Sequence, residues 1–119
     1  MHPKSPLWLE DIQRASRFIQ EDTGNISLDT FLTDRHARQA TERNLEIIGE
    51  ALRRIERVDL QTASRITDYR QIIGLRNRLI HGYDEIDDTT IWTIITTFVP
   101  ALAQEVDALL AEADNVSMT

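Results

Sequence analysis

Apolar residues return at alternating spacings of four and three in stretch after stretch of this 119-residue chain. That phase follows the 3.6-residue turn of an α-helix and cannot line one face of a strand. The clearest run is Leu45, Ile48, Leu52 and Ile55, a seam widened by Ile47 and Ala51. Trp8, Ile12, Ala15 and Ile19 make a second face. Ile72, Leu75 and Leu79 make a third, with Ile73 and Ile80 beside it. The fourth, Ile91, Ile95, Phe98, Leu102, Val106 and Leu109, crosses Thr89–Thr97, whose β-branched residues alone favour a strand. The unbroken phase decides for helix.

Helix punctuation falls between these faces. Ser5-Pro6 reads as an N-cap followed by proline at the first helical position. Thr23-Gly24-Asn25 closes that helix, and Ser27 caps a short turn bearing Leu28, Phe31 and Leu32. Asp34 caps a long helix reaching about Val58, and Asp59 to Ser64 forms a short helical turn. Gly49, inside the long helix, is either a point of close helix approach or simply tolerated. Asp68 caps the next helix and Gly82 ends it. Asp87 or Asp88 caps the last, which runs to about Ala113, with a kink expected near Thr96–Thr97 because Pro100 removes a backbone donor. Residues 114–119 are expected to fray. Four main helices with short connections predict an all-α fold: a four- to five-helix bundle of antiparallel neighbours, one domain over 1–119.

Composition removes several chemistries. With no cysteine there is no disulfide framework, thiol nucleophile or cysteine-ligated zinc. No histidine pair has ligand spacing, and no phosphate-binding glycine loop or nucleophile elbow occurs, so neither a metal nor a cofactor is expected. The acids Asp84, Glu85, Asp87 and Asp88 read as a solvated, helix-capping loop. No apolar run approaches the ~18 residues of a membrane span, and the N-terminus lacks the apolar run of a secretory signal, so a cytoplasmic address with no membrane partner is expected.

The net charge of −7 argues against nucleic-acid binding over the whole surface. The charge is uneven, however. Residues 1–34 carry −3, residues 35–78 carry +4, and residues 79–119 carry −8 with no lysine or arginine at all. Twelve of the 13 basic residues are arginine. That is either composition bias or a means of planar contact with phosphate.

The positive stretch ends at Arg76-Asn77-Arg78-Leu79-Ile80-His81-Gly82-Tyr83. His2 is terminal and expected to be disordered, and His36 is expected at a solvated first turn, which leaves His81 as the candidate with company. Asn77 and His81 are four apart and share a helix face. Arg76 and His81 are five apart, about 140° round an ideal helix, and meet only if the arginine bends toward the helix end; Arg78 lies about 200° from Arg76. Histidine can move a proton near neutral pH. Arginine can hold a phosphate and stabilise a pentavalent transition state, asparagine can orient either partner, and tyrosine can stack on a base. The set suits cleavage of RNA by its own 2′-hydroxyl, without a metal. The plainer alternative is a helix C-terminus favoured by a histidine, with its arginines paired to acids.

Arg76-Asn77-x-x-x-His81-x-Tyr83 resembles the R-x4-H-x-Y signature of the HepT-like toxins in the HEPN superfamily. Asn44-Leu45-Glu46-Ile47-Ile48-Gly49-Glu50-Ala51 is also similar to that family, as are the length and helical layout. The resemblance implies an all-α homodimer with two motifs around one cleft. It implies a metal-independent endoribonuclease with RNA as substrate, the toxin of a toxin–antitoxin pair. Arg76 and His81 would be catalytic, Asn77 and Arg78 supporting. The implied partner is a minimal nucleotidyltransferase antitoxin, which in some members silences the toxin by AMPylation of the motif tyrosine, here Tyr83. The alternative within the resemblance is a non-catalytic helical module that pairs with the nucleotidyltransferase or binds nucleotides.

Overall fold

A computed structural model describes residues 1–82 and 86–117. Those residues form six helices: α1 (Ser5–Thr23), α2 (Leu28–Thr33), α3 (Arg35–Val58), α4 (Leu60–Ala63), α5 (Tyr69–His81) and α6 (Asp88–Ser117). The fold is all-α, as the periodicity predicts.

Side-chain caps set most of the boundaries. Ser27 accepts from the Thr30 backbone N–H, Asp34 from that of Ala37, and Asp59 from that of Thr62. Asp87 accepts from the Thr89 N–H at 3.0 Å and so caps α6. Two expected caps are absent. Ser5 lies inside α1, after Lys4, and its buried hydroxyl donates to Asp59 Oδ2 at 2.8 Å. Asp68 precedes α5 in the left-handed conformation (φ 56°) with no side-chain cap hydrogen bond. In both, a position outside the helical α region or a long-range partner overrides the local capping rule.

The bundle is centred on α3, which packs against α1 on one side and α5 on the other; α1 also packs on α6. Ile12, Ala15, Ile19, Leu45, Ile48, Leu52 and Ile55 are buried as the seams predict. Leu9 takes the core place expected of Trp8, which is only partly buried. Phe31 of α2 is fully buried and meets Trp92 of α6 with ring centroids 5.2 Å apart. Arg38 of α3 ties this corner: Nη1 donates to Leu32 O at 2.6 Å and Nε lies 3.5 Å from Asp88 Oδ2. The start of α6 is thereby fixed beside α2 and α3.

The helix α6 runs unbroken through Pro100 and on to Ser117, past the expected end near Ala113. The tail expected to fray from 114 is therefore helical to Ser117, and residues 118–119 lie outside the described residues. Threonine hydroxyls adapt to the helix by bonding back: Thr93 to Thr89 O and Thr96 to Trp92 O. The sequence expectation about membranes needs one correction. Asp88–Asn115 is long and apolar enough to cross a bilayer by length and composition, although Ile91, Ile95, Val99, Leu102, Val106 and Leu109 face the protein core. Polar residues spaced through the helix hide this in a search for a pure apolar run.

The N-terminus is also better held than expected. The His2 backbone N–H donates to Asp59 Oδ2 at 2.9 Å, its Nδ1 accepts from Lys4 N at 3.0 Å, and its ring stacks near Trp8. His2 is part of the fold, because an acid 57 residues away holds it.

Candidate active site

Four of the five singled-out residues occupy the last turns of α5. Arg76, Asn77 and Arg78 lead to His81, the final residue of the helix. Gly82 then takes the left-handed conformation (φ 62°, ψ 23°), and its N–H donates to Arg78 O at 3.0 Å. A side chain there would be strained, so glycine suits the point where the chain turns out of the helix. Tyr83 lies outside the described residues, as do Asp84 and Glu85.

The four residues present different faces. His81, Asn77 and Arg78 are exposed, whereas the Arg76 side chain retains 15% of its exposure. Arg76 turns back against α3. Its Nη2 lies 3.0 Å from Glu50 Oε2, and its Nη1 donates to Asn77 Oδ1 at 2.9 Å. Asn77 thus contacts Arg76 directly, a neighbour the helical-wheel argument paired instead with His81. His81 is the last residue of α5 and lies beside the helix's C-terminal carbonyls. Arg78 faces away from Arg76, toward α6.

Two openings flank α5. One, about 230 Å³, is lined by Trp8, Asp11, Arg43, Glu46, Ile47, Glu50, Ala51, Arg54, Arg76 and Ile80. The other, about 520 Å³, is an apolar groove between α5 and α6 lined by Gln71, Ile72, Gly74, Leu75, Arg78, Ile94 and Phe98. Arg76 belongs to the first opening and Arg78 to the second.

The acids around α3 divide by environment. Burial, then the neighbouring charges of Asp88 and Glu46, pushes the Glu42 carboxyl up, and Arg38 only partly offsets this. Glu50 has two cationic partners, Arg76 and Arg54, the latter donating from Nε to Glu50 Oε1 at 3.2 Å. Glu50 is the residue the motif search missed. The Gly49-Glu50 pair becomes a signal only once α5 is placed there, with Arg76 over the glycine and its guanidinium beside the carboxylate.

A family model described as "Ribonuclease HepT-like" matches residues 10–109, which spans α1 to most of α6 and includes the whole candidate site. The chain belongs to the HepT-like ribonuclease family. A Methanocaldococcus jannaschii protein named a "Putative RNase" is 36% identical over 100 residues, covering 84% of this chain and 91% of that one. A Thermococcus cleftensis protein named "Probable ribonuclease HepT" is 33% identical over 102 residues, 86% of this chain and 92% of its own. A Caldanaerobacter subterraneus protein, also named as an RNase, is 32% identical over 103 residues, 87% and 91% of the two chains. These HepT-like relatives are matched along nearly their full length, so the likeness is not confined to the motif at the end of α5.

Proposed function

We propose that this chain is a metal-independent endoribonuclease and the toxin of a toxin–antitoxin pair. The observation that carries the reading is the end of α5, where Arg76, Asn77, Arg78 and His81 occupy six consecutive residues before the left-handed Gly82, in a HepT-like chain. In the reaction the 2′-hydroxyl of RNA attacks the adjacent phosphorus. Its proton passes to a base, the P–O5′ bond breaks, and the leaving 5′-oxygen takes up a proton. His81 supplies one proton transfer, and Arg76 stabilises the charge that builds on the phosphoryl oxygens. Asn77 holds Arg76 through the 2.9 Å hydrogen bond. Arg78 adds positive charge for the strand.

The chain acts as a homodimer in this reading. The apolar α5–α6 groove supports it: Ile72, Leu75, Ile94 and Phe98 line a surface beside Arg78. A second copy seated there brings two motifs toward one cleft and concentrates arginine that is sparse on each acidic protomer. The antitoxin is a minimal nucleotidyltransferase that silences the enzyme by AMPylation of Tyr83. The added phosphodiester would compete with RNA phosphate for the same cations.

The test is RNA cleavage by the purified protein in EDTA, with Arg76→Ala and His81→Ala beside it. Wild type cleaves and both variants lose about a hundredfold or more; equal activity in all three excludes the proposed roles. In a second arm, co-expression with the nucleotidyltransferase abolishes cleavage and adds the mass of AMP, and Tyr83→Phe escapes both. An unshifted, inactive wild type would reject AMPylation as the means of silencing.

A further inference from the structure

The Arg76 side chain reaches its place only because α3 has no side chain at position 49. A Cβ built on Gly49 would overlap Cβ of Arg76, lie 2.8 Å from its Cγ, and come within 3.2 Å of the Ile72 carbonyl oxygen. One residue on, Glu50 meets the guanidinium, with Oε2 3.0 Å from Nη2. The same carboxylate accepts from Arg54 Nε through Oε1. One negative charge is therefore shared between two guanidiniums, and the triad keeps a net charge of about +1. Neither Arg76 Nε nor Glu50 Oε2 completes a hydrogen bond, so the contact fixes Arg76 without saturating its donors.

We propose that Glu50 is the positioning residue for Arg76. Arg54 shares its charge, and Asn77 holds the opposite edge of the guanidinium. The proposal rests on the ribonuclease reading for its catalytic consequence, but the positioning itself is a property of the folded chain. A long arginine loses rotamer freedom when it is held between an ion-pair partner and a hydrogen-bond acceptor. Holding it before substrate arrives removes that cost from the transition state. Because Arg54 takes part of the carboxylate's charge, Arg76 remains positive enough to attract a phosphate.

The experiment compares wild type with Glu50→Gln, which keeps shape and loses charge, and with Arg54→Gln, which leaves the Arg76 contact in place. Expected for Glu50→Gln is a fall in kcat of about ten- to hundredfold, with KM for RNA unchanged or lowered, since local positive charge increases. Its Tm should stay within about 2 °C of wild type, because the side chain is partly exposed and no apolar packing is removed. Arg54→Gln should lower kcat less than threefold. A Glu50→Gln kcat within twofold of wild type, or a loss carried by KM or Tm, overturns the proposal. Side-chain ¹⁵N NMR decides the positioning even if wild type cleaves no RNA. The Arg76 Nη resonances, assigned by their loss in Arg76→Lys, should exchange with one another by Cζ–Nη rotation slowly in wild type, where Glu50 meets Nη2 and Asn77 meets Nη1, and at least tenfold faster in Glu50→Gln. Equal exchange in the two proteins would show that Glu50 does not hold Arg76. An inactive wild type with the exchange difference intact would reject the ribonuclease reading alone.

Discussion

Asp59 accepts hydrogen bonds from the backbone N–H groups of His2 and Thr62 and from the hydroxyls of Ser5 and Thr62. Burial alone would raise its carboxyl; these four donors outweigh it and hold the group at about 2. The folded value lies below the ordinary 3.8, so the charged form is favoured by folding. That stability is complete above about pH 4 and is lost as pH falls toward 2. Allowing for partial exposure, Asp59→Asn should cost about 1–2 kcal/mol at pH 7. Urea titrations of the two proteins should converge near pH 2, and a gap that persists there would contradict this origin. The case also shows where single residues escape a sequence reading. The short helical turn from Asp59 to Ser64 was legible, because the cap partner Thr62 is only three residues from Asp59. Its hold on His2 and Ser5 was not, since those partners are 57 and 54 positions away. Glu50 escaped for the same reason: its partner is on another helix.

Among the helices, the apolar seams were read with little loss because burial of a stripe is what makes a helix stable in a protein. The start of α5 after Asp68 was legible, although the left-handed backbone there leaves the helix without a side-chain cap, whereas the end of α6 was not, since the helix runs past Ala113 to Ser117. The role of Gly49 stayed open in the sequence, because a glycine at a contact and a glycine on an idle face look alike. The structure decides it: α3 and α5 meet there. Gly49→Ala should destabilise the protein by about 1–3 kcal/mol by overpacking, despite alanine's better helix propensity. Chemical denaturation checks this, and a variant as stable as wild type or more so would mean that α5 does not pack as closely as described. The candidate site lies on α5, so the motif residues were legible as a cluster. Their separation was not: Arg76 faces α3, and Arg78 faces α6.

At the scale of the whole molecule, the bundle is 49 × 31 × 19 Å, about two helix diameters thick. Such a slab leaves broad faces, and the α5–α6 groove, about 520 Å³, is an apolar one beside Arg78. If the homodimer forms through it, Phe98→Glu should convert dimer to monomer in sedimentation and abolish cleavage with it. A wild type that sediments as a monomer at micromolar concentration while cleaving RNA would reject the dimeric cleft. The net charge of −7 fits a protein that meets RNA at one basic place.

In the proposed reaction the end of α5 uses the substrate's own 2′-hydroxyl. That use is tested most directly by analysing the ends of RNA cut by the purified protein in EDTA. Expected are 2′,3′-cyclic phosphate and 5′-hydroxyl ends, with the rate reduced at least about a hundredfold in His81→Ala. Cleavage that requires an added divalent cation, leaves 5′-phosphate ends, or proceeds equally well without His81 would contradict it.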